Sequence, residues 1–177
     1  MFKSILTHGL IAGLIAGIAL SISTVTSTGG HGAWAMAVGY LIMLVALSAI
    51  FLAVKRHRDT AGGGVIGFLP ALGMGLGISL VAGILYVICW DLTCAITHTD
   101  FAGEYARAMI ARQQAKGASA AELAQVTAQM EQFRTQYANP LYRWPMTFIE
   151  IFPVGVLVSL ISAGLLRNPR FWPVRRA

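Results

Sequence analysis

The sequence predicts an all-α integral membrane protein: a four-transmembrane-helix antiparallel bundle with an extramembrane helical hairpin between spans three and four. Only 11% of its 177 residues are charged and 56% are hydrophobic, whereas soluble domains carry about 25% charged residues. Four apolar runs have about 20 residues each, enough to cross a hydrocarbon core of about 30 Å. The runs are Ile5–Val25, Ala33–Val54, Leu69–Trp90 and Pro145–Leu166, and none contains Lys or Arg.

The distribution of basic residues predicts the orientation of these spans within one membrane domain, residues 1–177. Of the 13 Lys and Arg residues, eight lie before span one, between spans two and three, or after span four, which is one side of a four-span model. The other five lie in segment 91–144. The positive-inside rule then places both termini in the cytoplasm and segment 91–144 in the periplasm or outside. This distribution favours a membrane topology signal over a nucleic-acid partner. The residues assigned to topology and to lipid contact are Lys55, Arg56, Arg58, Arg167 and Arg170.

Span one carries a glycine at every fourth position, which lines one helix face and permits close backbone approach. The same spacing of small residues recurs in spans three and four. Either the helices pack within one chain or they form the seam of a homodimer, because the motif does not distinguish the two. Span one could also be a cleaved signal peptide, since Lys3 precedes an apolar run. The helix-packing residues are Gly9, Gly13, Gly17, Gly73, Gly77, Gly155 and Ser159.

Tryptophans and a basic, glycine-rich segment mark the span ends. Trp34, Trp90 and Trp144 fall at the outer ends of spans two, three and four, and Trp172 follows the inner end of span four, as in an aromatic belt. The segment 55–64, which runs from Lys55 to three consecutive glycines, predicts a flexible inner loop beside anionic headgroups.

Three potential metal ligands follow span three. If that helix continues, Asp91, Cys94 and His98 share one face, and such residues bind zinc or copper. The spacing matches no standard paired motif, so we expect interfacial polar residues and a small thiol instead. Cys89 and Cys94 diverge on a helix and should not form a disulfide.

Residues 100–138 predict a helical hairpin. Asp100 can cap a first helix that Gly117 ends, and Ser119 with Glu122 forms a capping box that opens a second helix. A narrow apolar seam on the second helix should pack on Phe101, Tyr105 and Ala108 of the first, and Asn139-Pro140 ends it. The seam consists of Leu123, Val126, Met130, Phe133 and Tyr137.

Span four contains the candidate site. Glu150 is the one acidic side chain inside the four apolar runs, and carboxylates at membrane depth are costly and commonly functional. It is either a locally satisfied structural carboxyl, with Thr147, Tyr86, His31 or Arg143 nearby, or a proton or cation site. Pro153 frees the carbonyl of Ile149, which produces either a packing kink or an ion niche.

Several stretches resemble one family. They are 41–51, Lys55 with Arg58-Asp59, Gly62-Gly63, Asn139-Pro140, and 146–163, which begins Met-Thr-Phe-Ile-Glu-Ile-Phe-Pro-Val-Gly. Together they resemble a bacterial membrane family of the domain-of-unknown-function series, number four-one-nine-nine. The resemblance covers nearly the whole chain and implies a four-span inner-membrane protein with a helical insert before the last span. It implies no activity.

The leading functional prediction is a non-enzymatic scaffold or accessory membrane protein that acts through its glycine-faced helices and its outer hairpin. Its partners would be the lipid bilayer and either a second copy or another membrane protein, with no cofactor. One alternative is a small proton-coupled transporter that titrates Glu150. Another is a metal-dependent membrane enzyme, although no hydrolase, zinc-protease or dinucleotide motif is present.

Overall fold

The computed structural model describes residues 1–26 and 33–173, and within them the all-α prediction is confirmed. Four helical stretches are long and apolar enough to cross a membrane: Phe2–Thr24, Ala37–Thr60, Phe68–Thr97 and Pro140–Leu166. The chain is therefore a multi-pass membrane protein. His31 and the side chain of Trp34 lie outside the described residues. The helices are α1 (Phe2–Thr26), α2 (Ala33–Leu47), α3 (Ala49–Thr60), α4 (Phe68–Thr97), α5 (Phe101–Ala115), α6 (Ala120–Tyr137) and α7 (Pro140–Leu166).

Span two is two helices rather than one. Ser48 separates α2 from α3 although its backbone stays helical, with φ −58° and ψ −20°. Its hydroxyl donates to the carbonyl of Val45 at 2.6 Å. A serine that bonds back to its own helix in this way competes with the backbone ladder and commonly bends the helix.

The helix ends differ from the predicted boundaries. The basic segment 55–60, expected in a loop, is the last part of α3. The glycines after it form an ordered turn, because the backbone N–H groups of Gly62 and Gly64 both donate to the carbonyl of Arg58. At the start of α7, Asn139 accepts from the N–H of Leu141 at 3.0 Å, and Pro140 takes the first helical position, which needs no donor. The Asn139-Pro140 pair thus ends α6 and also begins α7, five residues before the predicted start.

The chain divides into two compact units. The bundle unit contains Met1–Trp90 and Phe148–Ala177, and the hairpin unit contains Asp91–Thr147. The core of the bundle unit is apolar, with Leu47, Ile50 and Met74 fully buried. Trp90 is also buried, at 6% exposure. Its ring therefore packs against protein, whereas a ring in an aromatic belt would face the headgroups.

Small residues place the helices of the bundle unit at close distances. A Cβ atom on Gly13 would lie 2.9 Å from the carbonyl oxygen of Ala82, and Gly9 and Gly17 meet α4 in the same way at Val81 and Cys89. The glycine face of α1 is therefore already packed against α4 of the same chain.

The contact between α4 and α7 is reciprocal. Ser79 of α4 lies against Gly155 of α7, and Ser159 of α7 lies against Gly75 of α4. The two serine hydroxyls are 3.4 Å apart. Gly77 meets Ile5, whereas a Cβ on Gly73 would meet open space. Gly73 is exposed and does not take part in the packing that its spacing predicted.

The hairpin unit forms by the local signals that its sequence contains. Asp100 accepts from the N–H of Gly103 at 2.9 Å, and Gly117 ends the first helix with φ +77°, a conformation that favours glycine. Both hydrogen bonds of the capping box between Ser119 and Glu122 are present. The predicted seam is confirmed in its aromatic part: Tyr105 of α5 lies 5.6 Å from Phe133 of α6, measured between ring centroids.

Candidate functional site

Glu150 lies on an exposed face of α7. Its side chain is exposed, while Tyr86 of α4 is buried at 1% exposure and donates its hydroxyl to Oε2 of Glu150 at 3.5 Å. That distance is at the long end for an O–H···O hydrogen bond. Tyr86 was one of the partners considered from the sequence, and its hydroxyl meets the carboxyl from the buried side of α4.

The exposed face around Glu150 is apolar. Exposed side chains recur at steps of three and four residues, which is one face of a helix. In a membrane-spanning helix this face meets lipid or another protein. We call it the α7 outer face, and it consists of Met146, Ile149, Glu150, Pro153, Leu157, Leu160 and Ile161.

The other predicted members of this site have separate roles. Thr147 is buried at 5% exposure, and its hydroxyl donates to the carbonyl of Arg143 at 3.1 Å. Its hydrogen bond is therefore made within its own helix. Helix α7 continues through Pro153 to Leu166, so it is not one of the interrupted helices that hold ions in many transporters.

Asp91 belongs to an ion-paired cluster in the hairpin unit. Its carboxylate accepts from Nε of Arg143 at 2.8 Å and from Nε1 of Trp144 at 2.5 Å. The helix that carries Asp91 and Cys94 ends at Thr97, and His98 adopts φ +52°, so His98 leaves the face that the three residues were expected to share. Within the described residues, no three His, Cys, Asp or Glu side chains lie close enough to hold one ion.

An open groove of about 440 Å³ lies at the base of the hairpin, entirely within the hairpin unit. Its wall combines two guanidinium groups, two carboxylates and two aromatic rings. No local sequence pattern predicts this groove, because its members are distributed over α5, α6, α7 and the turn before α5. They are Asp100, Phe101, Glu131, Arg134, Tyr137 and Arg143, with Cys94 beside them.

Arg58 is a second feature that sequence reasoning missed. Expected at the lipid surface, it is fully buried at 0% exposure. It donates to the backbone carbonyls of Phe171 at 2.9 Å and Trp172 at 2.7 Å, and to Oδ1 of Asp59 at 2.9 Å. We call these contacts the Arg58 latch.

The side chains around the Arg58 latch strengthen it. Lys55 bonds Asp59 and lies over the ring of Trp172, 5.2 Å from its centroid, and Phe51 packs on the same ring. Ile50, Val54 and Arg58 follow one another at four-residue steps, and all three are buried. This spacing was the sequence signal that could have predicted the burial of Arg58. The other basic residues assigned to lipid contact differ from it, because Arg56, Arg167 and Arg170 are exposed.

Comparison with known proteins gives one match. A family model described as "Protein of unknown function (DUF4199)" matches residues 7–168, which confirms the resemblance inferred from the sequence. No curated protein matches the chain, and no solved structure does.

Proposed function

The chain belongs to the DUF4199 family, and because the description of that family assigns no activity, we propose a function from the side chains themselves. The protein is a non-enzymatic accessory protein of the bacterial inner membrane. It binds a helix of another membrane protein on the α7 outer face, and Glu150 is the polar contact at the centre of that interface.

The observation that supports this proposal is the exposure of Glu150 on an apolar surface. A carboxyl that faces lipid is costly at membrane depth, and the long bond from Tyr86 offsets only part of that cost. Counted from Pro140, Glu150 lies ten residues into α7, about 15 Å along the helix axis, so it is not confined to the first turns. A partner helix with a hydrogen-bond donor would satisfy the carboxyl.

Charge favours a partner of different sequence over a second copy. Two copies that met symmetrically through the α7 outer face would bring two Glu150 carboxyls together, and like charges at close range repel each other. The glycines that might have formed a homodimer seam, Gly9, Gly13 and Gly17, already contact α4 of the same chain. The complex we propose is therefore heteromeric.

The orientation is part of the same proposal. Both termini and the turn after α3 lie in the cytoplasm, and segment 91–144 lies on the periplasmic side, because Lys and Arg concentrate in the former.

Site-specific photocrosslinking in native membranes tests the partner. A crosslinker at Ile149, which is 67% exposed on the α7 outer face, should capture one discrete protein. The substitution Glu150→Leu should lower that yield about threefold to tenfold, in line with polar contacts between membrane helices, and Glu150→Gln should retain part of it. The matched control is a crosslinker at Ile84, which is 51% exposed on α4 and whose products should not respond to Glu150→Leu.

Capture of lipid alone at Ile149, or an unchanged yield in Glu150→Leu, would refute the proposal. The transporter alternative makes a different prediction. Purified protein in liposomes should then carry a proton flux that Glu150→Gln abolishes while the fold is retained. Carriers place such carboxyls in the bundle interior or in a water-filled cavity, whereas Glu150 faces outward.

A further inference from the structure

The groove at the base of the hairpin has the size and wall of a ligand site. Its volume of about 440 Å³ falls within the range of small-molecule sites, roughly 300–1,000 Å³. Phe101 and Tyr137 supply an apolar wall, with ring centroids 5.5 Å apart. Such sites commonly combine apolar walls with a few polar groups that fix the ligand.

Both guanidinium groups keep unused donors. Arg143 donates from Nε to Asp91 and from Nη1 to the carbonyl of Tyr137, and no bond from its Nη2 is formed within the described residues. Arg134 donates from Nη1 to Glu131, and its Nη2 lies 3.7 Å from Asp100. Within the described residues, its Nε–H forms no hydrogen bond. These N–H groups can bind an anionic oxygen, and guanidinium matches phosphate geometry well.

Two carboxylates on the same wall keep unused acceptors. The side chains of Asp100 and Glu131 are 56% and 64% exposed, and an ionised carboxylate has about four lone-pair sites. A purely anionic ligand would be repelled by these two carboxylates, and a purely cationic ligand would be repelled by the two guanidinium groups. A ligand that carries one charge of each sign complements the whole wall.

The position of the groove along the chain narrows the range of possible ligands. Cys94 lies three residues before the end of α4, and Arg143 lies three residues after the start of α7. Both helices are membrane-spanning candidates, so the groove is built where spans end and where lipid headgroups are present.

We infer that this groove binds a zwitterionic headgroup that pairs a phosphate with a primary ammonium. The phosphate lies against Arg134 and Arg143, the ammonium donates to Glu131 and Asp100, and the carbon chain packs on Phe101 and Tyr137. A primary ammonium has hydrogen-bond donors, whereas the quaternary ammonium of choline has none, so the site discriminates between the two.

Native mass spectrometry of the full-length protein in detergent tests this inference. The probes are phosphatidylethanolamine, phosphatidylcholine and phosphatidylglycerol with identical acyl chains. We expect the ethanolamine lipid to bind about tenfold more tightly than either competitor, the effect of one charge-assisted hydrogen bond. Equal binding of the three lipids would overturn the inference.

Substitutions locate the binding. Arg134→Gln should weaken ethanolamine and glycerol lipids together, whereas Glu131→Gln should weaken the ethanolamine lipid and strengthen the glycerol lipid, because it removes one negative charge. Arg112→Gln is the matched control, since Arg112 is exposed on α5 and lies outside the groove. Unchanged affinity in Arg134→Gln, or unchanged selectivity in Glu131→Gln, would overturn the inference. Competition by free phosphoethanolamine would assign the site to a soluble zwitterion, and its failure to compete would assign the site to bilayer lipid.

Discussion

Arg58 and Glu150 show how differently two charged residues are accommodated in one bundle unit. The guanidinium of Arg58 is fully buried and engages two carbonyls and a carboxylate. Glu150 is an exposed residue, and its carboxyl accepts one long hydrogen bond, from Tyr86. A buried charge is tolerated only when it is paired and hydrogen-bonded. Arg58 therefore has a structural role, whereas the contact that we propose for Glu150 is with another protein.

Removing Arg58 should release the C-terminal segment. Arg58→Ala would leave the carbonyls of Phe171 and Trp172 and the carboxylate of Asp59 without their donor, and breaking a buried pair costs about 3–5 kcal/mol. Thermal unfolding in detergent should shift to lower temperature, and trypsin should cut after Arg170 at a much lower concentration.

The control for the Arg58 latch is its neighbour Arg56, which is exposed. Arg56→Ala removes the same charge from the same helix and should leave both readouts unchanged. Arg58→Lys should fall between the two, because a lysine cannot donate to both carbonyls in the geometry of a guanidinium fork. Equal effects of Arg56→Ala and Arg58→Ala would show that net charge, and not the latch, holds the segment.

At the scale of helices, the close contact between α1 and α4 should depend on glycine. In Gly13→Ala the new Cβ would lie 2.9 Å from both the carbonyl of Ala82 and Cβ of Leu85, so one helix must shift, and such overpacking costs about 1–3 kcal/mol. The matched substitution is Gly164→Ala, where nothing lies within 4 Å. The temperature of thermal unfolding should fall in Gly13→Ala and not in Gly164→Ala. Equal unfolding temperatures of the two variants would contradict the close contact between α1 and α4.

The start of α6 should be sensitive to acid. Hydrogen bonds from the backbone N–H and then the hydroxyl of Ser119 hold the pKa of Glu122 below its usual range. A group with a lowered folded-state pKa stabilises the fold above its unfolded pKa, and that contribution is lost as the pH falls through the folded value. The protection factor of the amides at the start of α6, which corrects the exchange rate for its intrinsic pH dependence, should therefore fall from about pH 5 to about pH 3.

Two variants check this acid response. Glu122→Gln should remove most of the pH dependence of amide protection at the start of α6. A pH dependence equal to that of the wild type would show that Glu122 is not the titrating group. Ser119→Ala should cost about 1 kcal/mol at neutral pH, the usual value of an N-cap, and should therefore raise exchange about fivefold.

The hairpin was predictable because its signals are local. Asp100, Gly117 and the pair Ser119 and Glu122 each act within four residues, so a single sequence contains the whole interaction. The spans were predictable for a similar reason, since about 20 apolar residues suffice to cross a bilayer.

The remaining features depend on residues far apart in sequence. Arg58 resembled a topology signal because its acceptors lie more than 110 residues later, at Phe171 and Trp172. The sequence shows Glu150 as an acid inside an apolar run, but its exposure depends on which face of α7 packs on α4, and no local pattern predicts that face. The groove was missed because its charges become neighbours only when the hairpin closes.

At the scale of the whole molecule, the described polar chemistry concentrates near the ends of spans. The Arg58 latch lies near the end of α3, and the groove lies where α4 ends and α7 begins. The exposed side chains of the described spans are otherwise mainly apolar, and Glu150 is the ionisable exception on the α7 outer face. This division suits the accessory function that we propose, because the ends of the spans would meet headgroups and water while the α7 outer face would remain available to another helix.

Labelling of single cysteines tests the orientation that this arrangement requires. In a background of Cys89→Ala and Cys94→Ser, Ala61→Cys places a thiol in the turn between α3 and α4, and Ala128→Cys places one on α6; both alanines are exposed. Because α4 is a membrane span, the two thiols should lie on opposite sides. A membrane-impermeant maleimide should label Ala128→Cys in cells with a permeabilised outer membrane, and Ala61→Cys only after lysis. The reverse pattern would invert the proposed orientation, and labelling of both before lysis would contradict α4 as a span.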